Sequence, residues 1–165
     1  MTSALLAGET WLAAKDGDWR ALGLYRRHYS SRKRRHDAPR EFVGPYESLV
    51  LLTPCSRALF VWTHPKYRAD GEVGVNCAVF RNEGAGRSSD LIRAAAERAW
   101  ELWPGERLYT FVDPREIASS NPGYCFKIAG WRYERTTPKG LHVLALAASS
   151  NPAVLALTPA PVQGD

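Results

Sequence analysis

Cysteine is scarce here and badly spaced for structural work. The chain of 165 residues holds three, Cys55, Cys77 and Cys125. They are far apart, odd in number and form no CxxC pair. Neither a zinc site nor a disulfide framework is therefore expected, and a reducing compartment is favoured. No apolar run approaches the roughly 20 residues that cross a bilayer. The first residues also lack the charged start and long apolar stretch of a secretory signal. No internal repeat and no long linker divides the chain. These absences point to a cytoplasmic protein without a membrane partner.

What is present reads as one globular domain over 1–146, followed by a loosely packed or disordered tail over 147–165. The apolar share of 45% and charged share of 24% are ordinary for such a domain, and the length suffices for a core. Six tryptophans are many for this size and imply walls for a core or a groove.

Charge is distributed unevenly. The net charge is +5, yet "RRHYSSRKRRHDAPR" (26–40) alone carries seven Arg/Lys against the single acid Asp37. The remainder is close to neutral. Such a cluster attracts a polyphosphate partner, because each neutralised phosphate releases counterions. Arg32, Lys33, Arg34 and Arg35 are the candidate DNA contacts, with His28, Tyr29 and His36 interleaved among them. The plainer alternative is a solvated loop with a basic bias.

Periodicity gives the elements. "DGDWRALGLYRRHY" (16–29) reads as a helix capped by Asp16 or Asp18, with Trp19, Leu22 and Tyr25 or Tyr29 on one face. "ESLVLLT" (47–53) and "ALFVWTH" (58–64) form a hairpin around "PCSR", and "VGVNCAVFR" (73–81) is a third strand. "SSDLIRAAAERAWELW" (88–103) repeats apolar residues at i, i+3 and i+4, with Ser88 or Ser89 as N-cap and Pro104-Gly105 as the stop. "RLYTFV" (107–112) is a strand ending at Asp113-Pro114. "NPGYCFKIAG" (121–130) is a short helix capped by Asn121, with Gly130 at its end. "RYERTTPKGLHVLAL" (132–146) is a closing hairpin. The order predicts an α/β fold: a central mixed, mostly antiparallel sheet with helices on both faces.

The junction "RNEGAGRSS" (81–89) turns a strand into a helix through Gly84 and Gly86. Such a junction presents backbone N–H groups and the positive helix end to phosphate, while Ser88 and Ser89 add hydroxyl donors. It is neither GxGxxG nor a P-loop. Arg81-x-x-Gly84-x-Gly86 resembles the pyrophosphate loop of the GNAT superfamily of acyl-CoA transferases, [RQ]xxGx[GA], and the element order over 47–146 is similar. "KIAGW" (127–131) is similar to the KxGF ending of that superfamily's penultimate element. One departure stands out. Where GNAT acetyltransferases commonly carry a tyrosine that protonates the departing thiolate, this chain has Phe126, and Tyr124 lies two residues away, about 200° around a helix. Either Tyr124 takes the role from another angle, or the chemistry is not plain acetyl transfer.

Within that superfamily, the chain most resembles the Mom DNA-modification proteins of phage Mu and its relatives. The residues that carry this are His28-Tyr29, Arg81, Asp113 and Tyr124 in "NPGYCF". The resemblance implies carbamoylmethylation of the exocyclic amine of adenine, which protects phage DNA from restriction. It implies DNA and a phosphorylated, acyl-CoA-type donor as partners, and leaves the metal requirement and the oligomeric state open. In this reading Asp113 accepts a proton from the amine or orients it. Tyr29 and Tyr124 stack a base lifted from the duplex. Arg81 holds a phosphate or carboxylate. Each residue also has a plain reading: Asp113-Pro114 as a turn starter, the tyrosines as core aromatics, Arg81 paired with Glu83, His28 as a surface histidine and Cys125 as a small buried side chain. Two rival functions remain, an acetyl-CoA-dependent N-acetyltransferase on a small-molecule or protein amine and a non-catalytic nucleic-acid-binding module.

The basic segment gives the first test. Replacing Arg32, Lys33, Arg34 and Arg35 by Ser weakens DNA association and flattens its salt dependence, by about 0.9 log units of slope for each phosphate left unneutralised. An unchanged slope would mark the segment as a solvated loop.

Overall fold

A computed structural model describes residues 9–33, 43, 46–66 and 71–156. Arg34 and Arg35 of the basic segment lie outside the described residues, as do the side chains of Arg32 and Lys33 and the tail 157–165.

The chain opens with β1 (Leu12–Ala14), a short strand that the sequence pattern does not announce, because three residues carry no readable alternation. The buried Trp11 before it donates its indole N–H to the Leu91 carbonyl at 2.9 Å, which fixes the strand across the core. Helix α1 (Trp19–Arg27) follows, and Asp18 is its cap, accepting from the Arg20 N–H at 2.9 Å. Leu22 and Tyr25 face inward as expected, whereas Trp19 is 80% exposed. Helical side chains lean toward the N-terminus, so the first residue of a helix projects past its start rather than over the layer below.

The hairpin of β2 (Glu47–Leu52) and β3 (Ala58–His64) forms as expected. Strand β4 (Val75–Asn82) leads through the glycine loop into α2 (Ser88–Leu102), and β5 (Leu108–Val112) returns parallel to β4. After a 3-10 turn (Pro114–Glu116) come α3 (Tyr124–Ile128), β6 (Arg132–Thr136), β7 (His142–Leu146) and a short α4 (Pro152–Leu155). The result is an α/β fold with one seven-stranded mixed sheet in the order β1-β2-β3-β4-β5-β7-β6. β4–β5 is its parallel pair, and the other ladders are antiparallel.

β3 sits mid-sheet and is buried on both faces, which is why "ALFVW" reads as a continuous apolar run. Phe60 and Trp62 pack with Trp11, Ile92 and Ala95 under α2. Leu59 and Val61 pack with Ala21, Leu22, Leu24 and Tyr25 of α1 on the other side. On the α2 face an aromatic chain runs from Trp11 through Phe60 and Trp62 to Trp131 and Phe126.

Two helix starts differ from the sequence reading. At α2 the cap position is Arg87, without a side-chain bond, because Ser88 already has helical geometry. At α3 the cap is Gly123 in the left-handed conformation (φ 75°), not Asn121. A positive-φ residue there delays the helix by two positions. The Asn121 side chain instead accepts from Lys127 Nζ at 2.6 Å. Gly130 does end the helix, at φ 98°.

Gly123 tolerates no side chain, since a Cβ there would stand 2.3 Å from Leu144 Cδ1 in addition to the φ strain. Gly123→Ala is expected to cost about 1–3 kcal/mol and to shift α3. Urea denaturation measures the effect, and wild-type stability would show that the backbone relaxes freely at this point.

Candidate functional site

The site begins with a parting of strands. β4 and β5 share only the pairs Val75↔Leu108, Asn76↔Tyr109 and Cys77↔Thr110. Beyond Cys77, β4 stays with β3 as far as Asn82↔Ala58, while β5 stays with β7 as far as Val112↔His142. A wedge opens between them and holds a cavity of about 370 Å³. That volume falls within the ~300–1,000 Å³ range usual for ligand pockets. Phe80, Val112, Ile117 and Phe126 give it apolar walls, and His28, Tyr29, Thr110, Asn121 and Tyr124 supply polar groups.

His28 and Tyr29 reach the cavity because α1 ends at Arg27 and the backbone turns extended at His28 (ψ 142°). Their rings stack with centroids 4.4 Å apart and planes at 29°. The Ser30 N–H donates to His28 Nδ1 at 3.2 Å, and Ser30 Oγ lies 2.7 Å from the same nitrogen. Burial pushes the Tyr29 hydroxyl above its ordinary value, opposed by a hydrogen bond from the Asp113 backbone. At neutral pH Tyr29 is a protonated donor facing an apolar space.

Asp113 is placed differently from the other candidates. It is 2% exposed and caps the 3-10 turn by accepting from the Arg115 N–H. Arg115 grips both carboxylate oxygens, at 2.9 and 3.0 Å. The carboxylate is absent from the cavity lining, and the residue touches the site through its backbone hydrogen bond to Tyr29.

The glycine loop is ordered by a residue that the sequence pattern does not single out. Asn82 Oδ1 accepts from the N–H groups of Gly84 (3.1 Å) and Ala85 (2.9 Å). Its Nδ2 donates to the Gly86 carbonyl (2.8 Å) and to Ser88 Oγ (2.9 Å). An Asn two residues before a glycine turn is the available signal for this arrangement. Gly84 and Gly86 have φ of 95° and 149°, and a Cβ at Gly86 would meet open space, so conformation rather than clash requires glycine there. At the start of α2 lies a second cavity of about 540 Å³, lined by Arg87, Ser88, Ser89, Tyr124, Cys125 and Ile128. Tyr124 and Cys125 border both cavities.

Arg81 does not join Ser88 and Ser89. Its side chain turns to the α1 face, where Nε meets Glu83 at 2.5 Å and an η nitrogen donates to the Arg27 carbonyl at 2.9 Å. Arg27 holds the same carboxylate through two bonds, at 2.7 and 2.9 Å. This clip ties the end of α1, and so His28 and Tyr29, to the glycine loop.

Burial pushes the thiols of Cys77 and Cys125 up, so neither is a ready nucleophile. Among the described residues no group of three or more His, Cys, Asp or Glu is placed to hold a metal ion, and no helix is long and apolar enough to cross a membrane. No family model, curated protein or solved structure matches this chain.

The clip should be sensitive to acid. Hydrogen bonds from Arg27, then Arg81, lower the Glu83 carboxyl from 4.5 to about 2. A depressed acid stabilises the fold above its ordinary value and loses that contribution as the pH drops toward its folded value. The melting-temperature advantage of wild type over Glu83→Gln is thus present above pH 4.5 and fades as the pH falls toward 2. A gap that does not change with pH would show that the charge on Glu83 contributes nothing.

Proposed function

We propose that this protein is a GNAT-fold transferase that modifies the exocyclic amine of adenine in DNA, as the Mom-like resemblance implies. The reading rests on the pair of cavities meeting at Tyr124. A two-substrate transfer needs an acceptor site and a donor site that share one wall, with a proton source on it.

The wedge cavity suits the acceptor. Its apolar walls and the stacked His28–Tyr29 pair fit a planar base, which must leave the duplex stack for its amine to react. The His28 imidazole and the Tyr29 hydroxyl offer hydrogen bonds to the ring nitrogens of the base. The cavity at the start of α2 suits the phosphates of a donor, because helix-terminal N–H groups and a glycine loop favour anions. The residues at hand that fit such a donor are Gly86, Ser88 and Ser89. Arg81 is engaged elsewhere.

In the transfer, the amine lone pair attacks the donor carbon, the bond from that carbon to its leaving group breaks, and the amine gives up a proton to water in the open cavity. Tyr124, 57% exposed on the shared wall, is the candidate to protonate the leaving group. Phe126 cannot, since its phenyl ring has no proton to give, and it packs against Phe80 and Trp131. The buried Asp113 sets the position of Tyr29, and its carboxylate can serve as a base only after Arg115 lets go.

The reading is tested by mass spectrometry of nucleosides from DNA of cells expressing the protein. A modified adenine is expected from wild type, and Tyr124→Phe should lower its yield by about 10²–10⁴-fold, the usual contribution of a general acid. An adenine pool identical to that of control cells would sink the proposal.

A further inference from the structure

Three arginines lie at the end of β4 and the glycine loop that follows it. Arg27 and Arg81 grip Glu83. The third is Arg57, from the β2–β3 turn. Its backbone carbonyl accepts from the Glu83 N–H at 2.7 Å, and its guanidinium lies 3.6 Å from where a Cβ on Gly84 would stand. Arg57 is exposed, and its guanidinium has no ion pair or hydrogen bond among the described residues. Glu83 pairs with Arg27 and Arg81, and with Arg57 beside Gly84 this corner keeps an excess of positive charge. Arg27 is also the residue directly before His28 and Tyr29, which line the wedge cavity.

We infer that Arg57, Arg27 and Arg81 form a docking surface for the phosphates of a nucleic-acid strand whose base enters the wedge cavity. Guanidinium forks match phosphate oxygens, and contacts of this kind set register without reading sequence. Arg57 makes the first contact, since it is free to do so. Glu83 limits the affinity by occupying the other two. The phosphates of a donor are a poorer match, because α2 packs beneath Phe60 and Trp62 while Arg81 turns to the opposite, α1 face of the sheet. The choice of partner rests on the nucleic-acid reading of the function, whereas the cation cluster does not.

The test measures binding of the full-length protein to a fluorescent single-stranded adenine-containing oligonucleotide across a salt series. Arg57→Ser should lower the salt slope by about 0.7, the share of one single-strand phosphate, which at 0.15 M salt is about fourfold in affinity counted from 1 M. Glu83→Gln should bind more tightly than wild type by a similar factor. Glu97→Gln, an exposed change of equal charge on α2, should leave binding as it is. A wild-type slope in Arg57→Ser overturns the inference, as does equal tightening by Glu97→Gln and Glu83→Gln. Coenzyme A is the second probe: if Arg57→Ser weakens its binding and spares the oligonucleotide, the surface belongs to the donor and the inference fails. If the expected binding pattern holds in a protein that modifies no adenine, the docking surface stands while the transferase reading falls. Adenine modification together with unchanged oligonucleotide binding in Arg57→Ser gives the reverse.

Discussion

Beyond Cys77 and Thr110, two strands that run side by side are each claimed by a different antiparallel neighbour. β4 continues along β3 and β5 along β7, and the ladder between β4 and β5 ends at Cys77 and Thr110. A parting of this kind inside a sheet would ordinarily expose unpaired backbone. Here the gap is walled by the two ends of the chain's helical layers, His28 and Tyr29 at the end of α1 and Gly123 to Phe126 at the start of α3. Both cavities depend on that arrangement. If β4 and β5 stayed paired to their ends, there would be no wedge.

Polar interactions help fix the elements around the wedge, whose walls at Val112 and Phe126 belong to the core. Asn82 uses both ends of its amide to shape the glycine loop. The Arg27–Glu83–Arg81 clip ties α1 to that loop from the other face. Asp113, under Arg115, ends β5 and meets Tyr29 through its backbone. Exposed ion pairs stabilise folds only weakly, commonly by about 0–1 kcal/mol. Their value at this site is geometric, since they set where His28, Tyr29 and the loop stand relative to one another.

Particular residues show how far the pattern can be read. The apolar run 58–64 announces a fully buried strand, and the i, i+3, i+4 repeat from Leu91 to Trp100 announces α2, because burial on a face leaves a period in the chain. β1 is silent: three residues have no period, and its anchor is the long-range bond from Trp11 to Leu91. Residue type alone misplaces the caps at Asn121 and Ser88, because Gly123 takes a positive φ and Ser88 is already helical. Spacing makes Arg81 a partner of Gly84 and Gly86 along the loop. Side chains alternate across a strand, however, and its position in β4 turns it to the α1 face.

The α/β class, the hairpins, the long helix and the glycine turn are all legible in the chain, since each follows from periodicity or backbone freedom within about fifteen neighbouring residues. Residue type and order also bring His28, Tyr29, Asp113 and Tyr124 forward as candidates. Which of them share a cavity is settled only when the chain is folded. His28, Tyr29 and Tyr124 do, the carboxylate of Asp113 is taken by Arg115, and Arg81 joins Arg27 on Glu83 instead of the start of α2. The reason is that these groupings depend on strand register and on which sheet face each helix covers, and both are set by contacts between residues some tens of positions apart.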